Sequence, residues 1–394
     1  MNLKRTMIAV FLLCCATVLS LTTSCGEKKA PLQTQQLGTE PVVIRKAAGK
    51  VGVLLEWARK GYRGMSLIHV GEHDALSPLS EKTVKELGRH LHSKDWDALE
   101  KKLGEDRVGS PDYLSAAVGL GIIKDIYWVI PYPFFGSAGG GEQARQFLVD
   151  RGLVKDRSEA DRFRMAGGCL AGSVRNTEIT ICAPDTMLFI REPVLLDLDM
   201  DFFPVFAQGR GINILEGLKH FMDAIFARRY AVAEASIASP PAGESFDPAQ
   251  TYIGAQVQEA FKKPSIMQQP DPPPLWKDRD AADALLREGD FKHAYTALKA
   301  SIKAFGSDEG LRALLACSAL ELEKHEEALT IAGELCREDK GLCPLLLYLG
   351  DRENNRGRPD RAEVFFRQAL EVMPAWEPAA NRLDASKKKE QAKG

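Results

Sequence analysis

Two segments of this chain concentrate side chains that could do chemistry. One reads Leu195-Leu196-Asp197-Leu198-Asp199-Met200-Asp201-Phe202-Phe203, with a carboxylate at every second position of an apolar stretch. In an extended chain that alternation puts Asp197, Asp199 and Asp201 on one side. They would repel one another unless a cation, or an arginine or lysine, neutralised them. The other segment reads Ile68-His69-Val70-Gly71-Glu72-His73-Asp74-Ala75-Leu76. Hard oxygen donors beside imidazole suit manganese, iron or zinc better than copper. An acidic turn that pairs with basic side chains or caps a helix is the competing account, and on the residues alone the two stand level.

Other candidates fall short. The run Ser137-Ala138-Gly139-Gly140-Gly141 precedes a helix but lacks the lysine of a phosphate-binding loop and the spacing of a dinucleotide fingerprint. It reads as a turn. His90 and His92 lie on a polar helical face, and His220 sits on a helix of mixed character. No serine or cysteine nucleophile motif stands out. The formal net charge of −2 argues against a nucleic-acid partner, which needs a basic surface.

The elements that must position the two segments alternate strand-like and helix-like runs, which predicts an α/β domain over residues 46–262. Strands are expected at Ser66 to Val70, Ile126 to Ile130, Glu178 to Cys182, Met187 to Arg191, Val194 to Leu198 and Ala231 to Ala238. Helices are expected at Lys46 to Lys60, Ser80 to Leu91, Pro111 to Leu120, Gly141 to Arg151 and Ile214 to Arg228. Both polar segments then fall at strand ends, where sheets of this class bind ligands.

A proline-rich stretch at 263–278 reads as a linker and a domain boundary. Beyond it Ala294, Ala328 and Ala362 recur at a spacing of 34. Leu349-Gly350, Gly357, Ala362, Phe366, Ala369 and Pro374 follow the order of small and large residues of the tetratricopeptide repeat, a helical hairpin of that period. Residues 279–384 are therefore expected to form an all-α solenoid of this type that docks a protein or peptide, followed by a disordered basic tail at 385–394.

The two polar segments together resemble the peptide-arginase-like family, which belongs with the arginase and histone-deacetylase fold. Family members carry a strand of the form Asp-hydrophobic-Asp-hydrophobic-Asp-Phe-Phe, matched in full by Asp197 to Phe203. Tyr127-Trp128-Val129-Ile130-Pro131 and Ile237-Ala238-Ser239-Pro240 match two further strand ends. The resemblance implies a three-layer α/β sandwich, a divalent metal (manganese, iron or zinc) and hydrolysis of a guanidino or amide C–N bond. His69 and His73 align with the first family motif, but Gly71 and Ala75 stand where the family has metal-binding aspartates. Two outcomes follow. Either Glu72, His73 and Asp74 reach a metal held by Asp197, Asp199 and Asp201, with His73 or a nearby carboxylate managing the proton, or the domain is a non-catalytic relative. Glu244, just after the last strand, could face a cationic substrate.

The N-terminus resembles a bacterial lipoprotein signal. Lys4 and Arg5 precede an apolar run from Met7 to Leu21, and small residues lead into Cys25. The resemblance implies a signal peptide over 1–24, lipidation of Cys25, a tether over 25–45, and an outer-membrane protein facing the periplasm. That compartment permits disulfides. On sequence nearness Cys169 would pair with Cys182 and Cys336 with Cys343, although buried free thiols fit the same residues.

Overall fold

In this computed structural model the described residues are 32–391, apart from 48, 107, 110, 137, 138 and 239–246. The signal peptide, Cys25 and Glu244 lie outside them. A mixed α/β region is followed by a run of helices. The strands are β1 (Gln35–Gln36), β2 (Ile44–Ala47), β3 (Met65–Val70), β4 (Ile123–Val129), β5 (Arg164–Ala166), β6 (Cys169–Val174), β7 (Thr177–Cys182), β8 (Val194–Leu198) and β9 (Ala231–Ala238). They form one sheet in the order β1-β9-β8-β3-β4-β7-β6-β5, with β2 also paired to β9. The five central strands, β9 to β7, are all parallel. Apolar residues predominate in β3, β8 and the second half of β4, as strands covered on both faces require, while Glu178 interrupts β7 and Glu234 interrupts β9.

Helices α1 (Gly49–Arg59), α2 (Glu81–Ser93), α3 (Trp96–Glu105), α4 (Tyr113–Gly119), α5 (Gly140–Asp150) and the single turn α6 (Arg157–Ala160) come between β2 and β5. Residues of α1 to α5 share a core with Leu67, Ile126, Trp128, Ile179 and Leu195. Helices α7 (Phe202–Arg210), α8 (Ile214–Ala227) and α9 (Pro248–Lys262) share the other core, with Ile68, Val70, Leu196 and Leu198. Alternate residues of one strand therefore serve opposite layers. His69 has the parity of Leu67, and Asp197 that of Leu195, so both face the α1–α5 layer.

The remaining helices are α10 (Pro274–Glu288), α11 (Phe291–Phe305), α12 (Glu309–Glu321), α13 (His325–Glu338), α14 (Pro344–Asn355), α15 (Pro359–Val372) and α16 (Glu377–Gln391). Successive helices pack in pairs across short connections. The second helix of each pair begins at Phe291, His325 and Pro359, keeping the 34-residue spacing, and Ala294, Ala328 and Ala362 are fully buried. A Cβ on Gly350 would stand 2.4 Å from the Phe366 ring. The small residue of one helix thus admits the aromatic of the next.

Several expectations need correction. Residues 35–45, read as part of a tether, supply β1 and the first half of β2, whose end takes the first two residues expected in the helix Lys46 to Lys60, and Leu37 and Val42 are buried. The stretch 263–278 does not separate two cores. It holds a 3-10 turn (Pro264–Gln268) and the start of α10, and it buries Ile266 and Trp276 in the same core as α8 and α9. Met187 to Arg191 forms no strand. It runs beside the sheet with Phe189 exposed, while the Leu188 carbonyl accepts a bond from the Tyr230 hydroxyl at 2.6 Å. Residues 385–391, read as part of the tail, continue α16. Cys169–Cys182 and Cys336–Cys343 form disulfides, and Cys317 is a buried free thiol.

Candidate functional site

The parallel pairing of β3 with β8 sets His69 opposite Asp197. On the other side of β8, Asp197 is opposite Ser236 of β9. Beyond the last strand residue, the Asp199 N–H bonds the Val70 carbonyl at 2.8 Å, which keeps the two chains together at their ends. The layer above contributes Lys50, the second residue of α1, and Tyr113, the first residue of α4. His69, Asp197 and Tyr113 have no exposed surface, and Lys50 is 4% exposed.

These groups saturate Asp197. Its Oδ2 accepts from Lys50 Nζ at 2.9 Å, from His69 Nδ1 at 3.0 Å and from the Tyr113 hydroxyl, and its Oδ1 accepts from Ser236 Oγ at 3.2 Å. Lys50 Nζ also donates to Asp199 Oδ1. His69 Nε2 lies 2.8 Å from the His73 carbonyl. A carbonyl and a carboxylate both only accept, so both ring nitrogens of His69 donate and the ring is an imidazolium. The pKa directions agree. Burial works against the charged forms, yet the bond to Asp197 and the charge of Asp199 raise His69, and the two carboxylates raise Lys50. Burial likewise opposes ionisation of Asp197, but Lys50 and His69 hold it well below the usual carboxylate range. Burial and Asp197 push the Tyr113 phenol well up, so it stays a donor. Two positive and two negative charges cancel.

The donor atoms of His69, Asp197 and Asp199 lie within 4.8 Å of one another, a spacing a metal ion could use. Their bonding does not fit one. The Lys50 ammonium bridges the two carboxylates, and His69 offers no free lone pair. Position 71 has the parity of 67 and 69, and a Cβ there would stand 3.0 Å from Asp199 Oδ2 and 3.1 Å from His69 Nε2. A side chain at 71 would enter the cluster, and glycine provides none.

The expected six-residue metal set therefore divides. Glu72, His73 and Asp201 form a second, more exposed group with donor atoms within 4.8 Å. Asp201 leaves the line of Asp197 and Asp199 because β8 ends at Leu198 and the chain turns into α7. Glu72 Oε1 accepts from the Tyr132 hydroxyl at 2.8 Å and from Arg151 Nη2 at 3.2 Å. Arg151 Nη1 donates to His73 Nδ1 at 3.1 Å, which leaves Nε2 protonated and 4.0 Å from Asp201 Oδ2. Asp201 Oδ1 is buried and has no hydrogen-bond partner among the described residues. Burial and the charge of Asp199 push the Asp201 carboxyl up to about 7. Asp74 belongs to neither group. Its Oδ1 accepts from the Leu76 N–H at 2.7 Å and closes the turn in which Ala75 adopts a φ of 53°.

Of the minor candidates, His90 and His92 lie in the last turn of α2, and His220 pairs with Asp185. Among the described residues, no helix is long and apolar enough to cross a membrane. In comparisons with known proteins, no family model matches the chain and no curated protein matches it.

Proposed function

We propose that this chain is an envelope lipoprotein that docks a peptide segment of a partner protein. In this reading it is anchored through Cys25, its α/β region is a non-catalytic relative of the arginase-like fold, and its helical run is a tetratricopeptide-type array. The observation that carries the reading is a groove of about 430 Å³ across the first helices of three successive hairpins. Leu286 of α10, Leu320 of α12 and Leu349 of α14 give it an apolar floor. Arg287 and Arg352 stand at its rim, held by Asp247, Asp283 and Glu321. An apolar floor with pre-oriented charges suits a short segment bound by side-chain pockets and charge register.

The test is site-specific photo-cross-linking in cells producing the full chain. A benzophenone amino acid at Tyr348, inside the groove, should give an adduct of defined size. The same residue at Val364, which is exposed on α15, should not. Arg352→Glu should remove the Tyr348 adduct. No adduct, or identical adducts at both positions, would overturn the reading.

The outer group supports a second reading. A buried carboxylate oxygen without a partner, beside Glu72 and His73, favours a metal-dependent C–N hydrolase. Its test is the metal content of the full chain purified without chelator, with Asp201→Ala as control.

A further inference from the structure

We infer that Lys50 takes the place of a metal ion: its ammonium is the built-in counter-ion of Asp197 and Asp199, and removing it exposes a divalent-cation site at the strand ends. Three observations carry this. The ammonium contacts both carboxylates, one of them at 2.9 Å, where one cation is needed to relieve their repulsion. Lys50 is delivered by a helix that packs against the sheet, so the charge is fixed by the fold and not by solution conditions. Gly71, directly after β3, leaves open a position whose Cβ would stand 3.0 Å from Asp199 Oδ2. An internal lysine and a missing third acidic ligand are the two changes that make a cation unnecessary and poorly held.

A lysine in this position has a definite chemical consequence. Ammonium supplies one charge, three donors and no open coordination position, so it can neutralise carboxylates but cannot activate a water. The inner cluster is then a structural salt-bridge centre, independent of what the helical groove binds.

The full chain, purified without chelator, is titrated with Mn(II) and with Zn(II) by calorimetry and followed by thermal unfolding with 1 mM metal and with EDTA. Wild-type protein is expected to carry no ion in the inner cluster, and any difference in its unfolding temperature between the two conditions should vanish in Asp201→Ala, which removes the outer group alone. Lys50→Ala is expected to bind one ion per chain and to unfold at a higher temperature with metal than with EDTA. Lys50→Ala/Gly71→Asp should bind at least tenfold more tightly, and adding Asp199→Asn to Lys50→Ala should abolish binding. A wild-type ion that disappears in His69→Ala or Asp197→Asn overturns the inference, and this holds whether or not the lysine variants fold. Folded Lys50→Ala, checked by near-ultraviolet circular dichroism, that ignores millimolar metal also overturns it.

Discussion

Tyr252 of α9 lies against Gly310 of α12 so closely that a Cβ on the glycine would stand 2.5 Å from the Tyr252 Cβ. This contact joins the sheet region to the helical run, and a continuous core surrounds it. Phe261 and Val257 of α9 share that core with Trp276, Leu311 and Leu314. Cutting the chain after residue 262 would uncover these apolar side chains together. The truncated protein is therefore expected to aggregate, and the full chain to unfold in one cooperative transition. Gly310→Val should cost about 1–3 kcal/mol through overpacking, measurable by chemical denaturation. Independent unfolding of a stable 32–262 fragment would contradict the shared core.

Lys50→Met should be far more damaging than its single lost charge suggests. It leaves Asp197 and Asp199 facing each other with the inner carboxylate fully buried. Breaking a buried pair from one side costs about 3–5 kcal/mol. Lys50→Met combined with Asp199→Asn should recover a large part of that loss, since Asp197 is then balanced by the His69 imidazolium and no uncompensated charge remains. Denaturant midpoints in metal-free buffer measure both, and a double variant no more stable than the single one would refute the electrostatic account.

The sulfur chemistry is equally specific. The two disulfides close loops with separations of 13 and 7 residues, and chain entropy puts each at about 2–3 kcal/mol. Cys169→Ser/Cys182→Ser should lower the unfolding temperature of the α/β core. Burial raises the pKa of the Cys317 thiol, so it should resist iodoacetamide in the native chain and react on unfolding. Mass spectrometry of the peptide containing Cys317 before and after denaturation decides this.

How much could be read in advance follows from where the physical signal lay. The central strands were legible because burial on both faces makes them rich in apolar residues, and the helical run because hairpin stacking leaves a 34-residue period, whereas the helix Pro248–Lys262 was not expected. β1 and β2 were not legible, because Gln35, Gln36, Arg45 and Lys46 are exposed and the apolar run between them, Val42-Val43-Ile44, is only three residues long and follows a proline. Met187 to Arg191 misled in the opposite way: Met187 and Ile190 bury against the core, Phe189 is exposed, and the segment has no ladder partner among the described residues.

In the site, the aspartate motif was visible but its division was not. Alternation predicts one row only while the strand lasts, and β8 stops two residues before Met200. Lys50 was missed although it stands just ahead of Val53-Leu54-Leu55, a buried helix face where a lone charge is out of place. Tyr113, Ser236 and Arg151 come from three separate elements, and nothing local ties them to the two motifs. Gly71 was noticed as a departure from a family pattern. It follows β3 directly, whereas Glu72 is bonded to Tyr132 and Arg151 and Asp74 closes a turn, so neither stands in for the missing side chain.

Asp201 should make the protein less stable as pH rises. Its carboxyl sits at about 7 in the folded chain, mainly from burial, against about 4 when unfolded. A folded-state pKa raised in this way contributes stability that is complete below pH 4 and lost as pH climbs through 7. Between pH 5 and 8 the wild type should therefore lose at most about 3 kcal/mol relative to Asp201→Asn, whose amide does not ionise. Denaturation curves of both proteins across that range give the comparison. Parallel stability profiles would mean that Asp201 ionises freely in the fold, and that a cation or an undetected donor satisfies its buried oxygen.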